Sequence, residues 1–154
     1  MEIRAFREGD EPALLRVFVS SVHRLARNDY TAEQLHAWAP LDADPDAWAE
    51  RMRALRPYVV ETDDEIVAYA DLQPDGLIDH FYVAGAYAGG GVGRELMMHL
   101  HEQAKALALP RLTAHVSRTA EPFFAHFGFA VIERRTPLVR GVAVPNVVMR
   151  KKLR

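Results

Sequence analysis

The chain has 154 residues, a formal net charge of −2 at pH 7, 49% hydrophobic residues and no cysteine. That length suffices for one domain with a substantial core, and the missing thiols exclude disulfides, thiolate metal sites and a cysteine nucleophile. No basic run tracks a phosphodiester backbone, no stretch reaches about 18 apolar residues and the charged N-terminus has no apolar leader, so the expectation is a cytoplasmic protein with neither nucleic acid nor membrane as partner.

Residues 2–6 predict a short strand. In REGDEPALL, Asp10 is the expected N-cap and Pro12 sits in the first turn, where a missing N–H does no harm, so a helix is predicted over about 11–26. TAEQLHAW places Thr31 and Gln34 at the reciprocal positions of a capping box, and DPDAWAERMRAL pairs Asp44 as cap with Pro45 at the first helical position. From RPYVVET the apolar period becomes two: YVVET, EIVAYADL and GLIDHFYV, separated by DD and QPDG, predict an antiparallel meander.

Over residues 92–109, Val92, Leu96, Met97, Leu100, Ala104 and Leu107 recur at helical spacing, and Pro110 closes the segment. RLTAHVS alternates Leu112, Ala114 and Val116 against Thr113, His115 and Ser117 and predicts a strand. TAEPFFAHF predicts a short helix stopped by Gly128. FAVIERR and VAVPNVVMRKKL predict a closing strand pair, with Pro145 marking an edge or a bulge. No repeat or linker interrupts residues 1–154, so one domain is expected. The element order fits an α/β fold with a mixed, mostly antiparallel sheet of about six to seven strands and helices on both faces.

AYAGGGVGREL lies between the third meander strand and the helix. A helix N-terminus leaves N–H groups unpaired and favours an anion, and glycines admit a phosphate to the backbone. A Walker loop fails because Arg94 and Glu95 follow Gly93. A dinucleotide fingerprint fails because its registers from Gly89 or Gly91 require glycine where Arg94 or Leu96 stands. What remains is Gly91-x-Gly93 just inside a helix, the loop expected for the pyrophosphate of coenzyme A.

With SRTAEPFFAHFGF downstream, FYVAGAYAGGGVGRELM resembles the GNAT superfamily of acyl-CoA-dependent N-acyltransferases, and the element order matches over residues 2–151. The resemblance implies a GNAT fold and an acetyl-CoA-dependent N-acetyltransferase that transfers acetyl directly, in a ternary complex, to a small-molecule or peptide amine. A homodimer through the C-terminal strands is a further implication. Ala88, Gly89, Gly90, Gly91, Val92, Gly93 and Arg94 would form the phosphate loop. The backbone of Tyr82 and Val83 would bond the pantetheine arm, with the Val83 N–H facing the thioester oxygen, and Ser117, Phe123 and Phe124 fall in the downstream cofactor motif.

Four positions depart from the family pattern: Ala88 replaces glutamine or arginine, Gly90 replaces a frequent lysine or arginine, Ser117 replaces the asparagine that opens the downstream motif, and Phe124 replaces the tyrosine that often protonates the leaving thiolate. Tyr82 and Tyr30 are the alternative hydroxyls. These departures also fit a second class, a non-catalytic module that binds CoA or senses a ligand.

A lysine-like amine of pKa about 10.4 is neutral in only about one molecule in 2,500 at pH 7, a handicap of roughly 4.6 kcal/mol that a base relieves. Strict alternation in GLIDHFYV puts Leu77, Asp79, Phe81 and Val83 on one face, making Asp79 an acid in an apolar row and the expected base, with His80 the alternative. The helices over 11–54 would cover the acceptor, with Tyr30 and Trp38 lining its pocket and Asp71 attracting a cationic amine. His99 and His101 lie about 200° apart on a helix, so no metal site is expected.

Overall fold

A computed structural model describes all 154 residues. Strand β1 (Glu2–Ala5) pairs antiparallel with β2 (Tyr58–Thr62), and between them run α1 (Glu11–Leu25), α2 (Ala32–Trp38) and α3 (Pro45–Leu55). The Thr31–Gln34 capping box forms in both directions, and Asp44 accepts the Asp46 N–H at 3.0 Å. Asp10 does not cap α1: its backbone is already helical, and its carboxylate accepts the Arg7 N–H at 2.8 Å and the Arg4 guanidinium at 2.8 Å. Arg4, whose side chain is 9% exposed, also bonds Glu61, and a buried guanidinium needs such counter-charges.

The remaining elements are β3 (Glu65–Ala70), β4 (Leu77–Ile78), β5 (Phe81–Val83), α4 (Val92–Ala106), β6 (Arg111–Ser117), α5 (Glu121–His126), β7 (Ala130–Arg135), β8 (Leu138–Val139), β9 (Val142–Ala143) and β10 (Asn146–Lys152). They build two four-stranded half-sheets, β1-β2-β3-β5 and β4-β6-β10-β7, with β8-β9 as a separate hairpin. Helices α1 to α3 cover one face around Leu14, Val22, Trp48, Met52 and Tyr69. On the other face, α4 and α5 pack Leu96, Leu100 and Phe124 against Ile78, Leu112 and Met149. No helix is long and apolar enough to cross a membrane.

GLIDHFYV is not one meander strand. Its first half pairs in parallel with β6, Ile78 opposite Ala114, while its second pairs antiparallel with β3, Tyr82 opposite Tyr69. The break at Asp79 and His80 is held by Asp71, whose buried carboxylate accepts both their N–H groups, at 2.8 and 2.7 Å. Those donors would otherwise be stranded between two half-sheets. The break also resets the alternation: Ile78, Phe81 and Val83 pack toward α4, whereas Tyr82 packs toward α1. Asp79 is therefore not a member of an apolar row.

Two smaller expectations also change. Helix α4 ends at Ala106, leaving Leu107 beyond it and 60% exposed rather than on the packed stripe. Pro145 lies just before β10, so it removes no ladder donor, and β10 is an interior strand between β6 and β7 with its irregularity at Val148–Met149.

Candidate active site

The split between β5 and β6 opens onto a pocket of about 340 Å³ beside the glycine loop. Gly89 and Gly91 hold φ of +77° and +88°, and an added Cβ would meet nothing there, so backbone conformation dictates glycine at both. At Gly93 the reason is packing: a Cβ would stand 3.3 Å from the Phe123 ring. Gly90 has neither constraint to the same degree, its nearest neighbour being Tyr87 O at 3.5 Å.

The first intrahelical bond of α4 runs from the Glu95 N–H to Gly91 O, leaving the amides of Val92, Gly93 and Arg94 without an intrahelical acceptor. Three such N–H groups at the positive end of a helix of 15 residues, reached over a bare glycine backbone, fit a diphosphate. The exposed Arg94 borders the same pocket, as do Ala88 and Phe123, whereas Val92 and Phe124 turn their side chains into the core.

Backbone direction in β5 follows from its pairing. Ala84 donates to Val67 O and Asp71 donates to His80 O, and bonded pairs alternate in an antiparallel ladder, so Tyr82 is the residue that exchanges bonds with β3. Phe81 and Val83 then direct their N–H and C=O groups into the split. The Tyr82 backbone, expected from the sequence to bond the pantetheine arm, is thus used up by β3, whereas the N–H and C=O of Phe81 and Val83 stay free.

A second pocket, of about 270 Å³, lies across the split and shares Trp38, Tyr82 and Ser117 with the first. Into it project Asp79 and His115, whose Nδ1 lies 2.9 Å from Asp79 Oδ1. An ionised carboxylate only accepts, so in the neutral ring the proton sits on Nδ1 and Nε2 presents its lone pair. Parallel pairing of β4 with β6 creates this dyad: continuing the register past Ile78–Ala114 sets Asp79 beside His115. In the sequence His115 is visible only as a polar residue on an alternating strand, and an antiparallel meander gives it no acidic neighbour.

His80 has a different place. Its ring is 2% exposed; Nε2 lies 2.9 Å from Arg51 Nη2 and Nδ1 lies 3.1 Å from the Tyr69 hydroxyl. A guanidinium only donates, so Nε2 accepts and Nδ1–H points to Tyr69. Burial, then the Arg51 charge, pushes the His80 pKa down to about 4. The imidazole is neutral and its lone pair is occupied, which removes His80 as the alternative base.

The aromatic positions also divide. Tyr30 donates to Pro145 O at 2.6 Å and accepts from the Arg118 N–H at 2.9 Å, so its hydroxyl bridges loops and its proton is taken, while the residue itself borders the second pocket as expected. The Tyr82 hydroxyl accepts from Trp38 Nε1 at 3.3 Å and keeps its own proton free, and burial raises its pKa. Ser117 accepts the Ala120 N–H at 3.1 Å, shaping the turn into α5. Asp71 borders neither pocket; its carboxylate serves the strand break and accepts from Gln73 at 3.0 Å, so it is not an amine-attracting group. No cluster of three or more His, Asp or Glu side chains has metal-binding geometry.

A family model described as the acetyltransferase (GNAT) domain matches residues 26–153. An uncharacterized N-acetyltransferase of Escherichia coli strain K12, YafP, is 28% identical over 152 residues, covering 99% of this chain and 96% of that protein. A GCN5-related N-acetyltransferase of Rhodopseudomonas palustris superposes with a TM-score of 0.92 at 31% identity, covering 99% of this chain and 95% of that one. The PaiA N-acetyltransferase of Thermoplasma acidophilum, solved in complex with coenzyme A, shares the fold at a TM-score of 0.73 and 16% identity over 98% of each chain. With a split sheet, a glycine-gated helix N-terminus and these relatives in agreement, the chain belongs to the GNAT acetyltransferases.

Proposed function

We propose that this protein transfers an acetyl group from acetyl-CoA directly to an amine held in the second pocket. The observation that carries the reading is the meeting of two pockets across the split at Trp38, Tyr82 and Ser117, with unpaired helix amides on one side and the Asp79–His115 dyad on the other. Bound acetyl-CoA supplies the acyl group as a thioester. The residues of this chain do the rest.

The amides of Val92, Gly93 and Arg94 hold the diphosphate, and Phe81 and Val83 offer β-type bonds to the amide-bearing arm. His115 Nε2 takes the proton of the attacking amine, and Asp79 stabilises the imidazolium that forms. The Val83 N–H lies where negative charge grows on the acyl oxygen, an interaction worth about 3 kcal/mol per donor in acyl transfer. Tyr82, which keeps its proton, donates a hydrogen bond toward the departing sulfur and takes over the part that Phe124 cannot play. The nitrogen–carbon bond forms as the carbon–sulfur bond breaks, and the proton released from nitrogen ends on His115 before reaching solvent or the thiolate.

Free-thiol release from acetyl-CoA, measured with and without amines, tests the reading. Release that depends on an amine, yields its N-acetyl product and falls at least tenfold in His115→Gln supports it. Tight binding of acetyl-CoA without acceptor-dependent release across a broad amine panel would instead favour a CoA-binding module.

A further inference from the structure

The second pocket is unbalanced in charge. Arg51 and Arg140 both border it, and neither has a carboxylate partner in the protein. Arg51 bonds only the neutral His80 and lies 5.9 Å from the Trp48 ring centre. Arg140, at the tip of the β8–β9 hairpin with φ of +50°, bonds only Ala37 O, at 2.6 Å. The one carboxylate in the pocket, Asp79, is already engaged by His115.

From these features we infer that the acceptor is an amine that carries its own carboxylate on a short skeleton, in chemical class a free amino acid; this rests on the acetyltransferase reading above. The two guanidiniums take the carboxylate, a geometry for which arginine forks are suited. Asp79 and His115 face the amine. Spacing favours a small molecule. His80 Nε2 stands 2.9 Å from Arg51 and 3.9 Å from Asp79 Oδ2, so guanidinium and carboxylate flank a single imidazole edge. An ammonium and a carboxylate a few bonds apart span such a gap, and the volume of about 270 Å³ suits one amino acid.

The test uses the full-length protein, acetyl-CoA and the standard amino acids, each beside its carboxamide and its decarboxylated amine, with thiol release and the N-acetyl product as readouts. At least one amino acid is expected to be acetylated with kcat/KM tenfold or more above its own amide, although the amide's amine is the more readily deprotonated. Arg140→Met and Arg51→Met are each expected to lower that ratio at least fivefold, chiefly through KM for the acid. Should Arg51→Met fail to fold, Arg140→Met, on an exposed hairpin, carries the test alone. Acetylation of the neutral-tailed amines with equal or greater efficiency would overturn this inference while leaving the acetyltransferase standing. No acetylation of any of the three series would overturn this inference, and the acetyltransferase reading falls with it only if the broad amine panel also shows no acceptor-dependent thiol release.

Discussion

Replacing Asp79 with Asn removes one charge from a dyad whose geometry is defined. The carboxylate accepts the His115 Nδ1 proton at 2.9 Å, which forces the tautomer with a bare Nε2. An asparagine amide donates as readily as it accepts, so it permits the opposite tautomer and no longer stabilises the imidazolium. General-base catalysis is worth about 10²–10⁴ in rate. Because the two side chains are 37% and 31% exposed, water screens the pair and the lower end applies: about 100-fold, or about 2.7 kcal/mol. The assay is kcat/KM from thiol release between pH 6 and 10, beside the Kd of acetyl-CoA from calorimetry. The defect should be largest near pH 7 and shrink as the amine loses its proton unaided, with the Kd unchanged. Adding His115→Gln should cost little more, because the two residues act as one unit. Turnover of Asp79→Asn within threefold of the wild type at pH 7 would refute the reasoning.

Gly91→Ala places a side chain at φ of +88° in open space, so strain of about 1–2 kcal/mol without a clash should lower Tm and weaken acetyl-CoA binding, whereas Gly90→Ala should change neither; equal effects would contradict the backbone account. His80 titrates near 4 in the folded chain against about 6.5 when unfolded, so the unfolded state binds the extra proton. Stability is therefore complete above about pH 6.5 and falls as pH drops toward 4, by up to about 3 kcal/mol; urea midpoints should show this decline flattened in His80→Gln. Arg4→Met leaves Asp10 and Glu61 facing each other without their shared cation and should cost about 3 kcal/mol in urea unfolding; a loss under about 1 kcal/mol would count against it.

Much of the architecture was legible because its causes are local. The Thr31–Gln34 box, the Asp44–Pro45 start and the stripe of Leu96, Met97 and Leu100 each depend on residues within a turn or two of one another. The glycine loop at the start of α4 was legible for the same reason, since unpaired amides and positive-φ glycines occur within a few residues. The break in GLIDHFYV was hidden because it depends on Asp71, a buried acid whose ladder partners lie across a turn. His115 was visible, but its meaning depends on a parallel pairing across the whole of α4. Likewise the choice between Phe81 and Tyr82 for backbone bonding rests on the phase of hydrogen bonding with β3, which alternation of side chains does not reveal. The β8–β9 hairpin, two residues per strand, is too short to leave a periodic signal, yet it brings Arg140 to the pocket.

The most direct measurement is a crystal structure of the protein with coenzyme A bound. The account predicts the diphosphate on the amides of Val92, Gly93 and Arg94, the arm between β5 and β6, and the sulfur beside the Tyr82 hydroxyl. A nucleotide seated away from the start of α4, or an arm that leaves the sulfur far from Tyr82 and the Asp79–His115 pair, would contradict it.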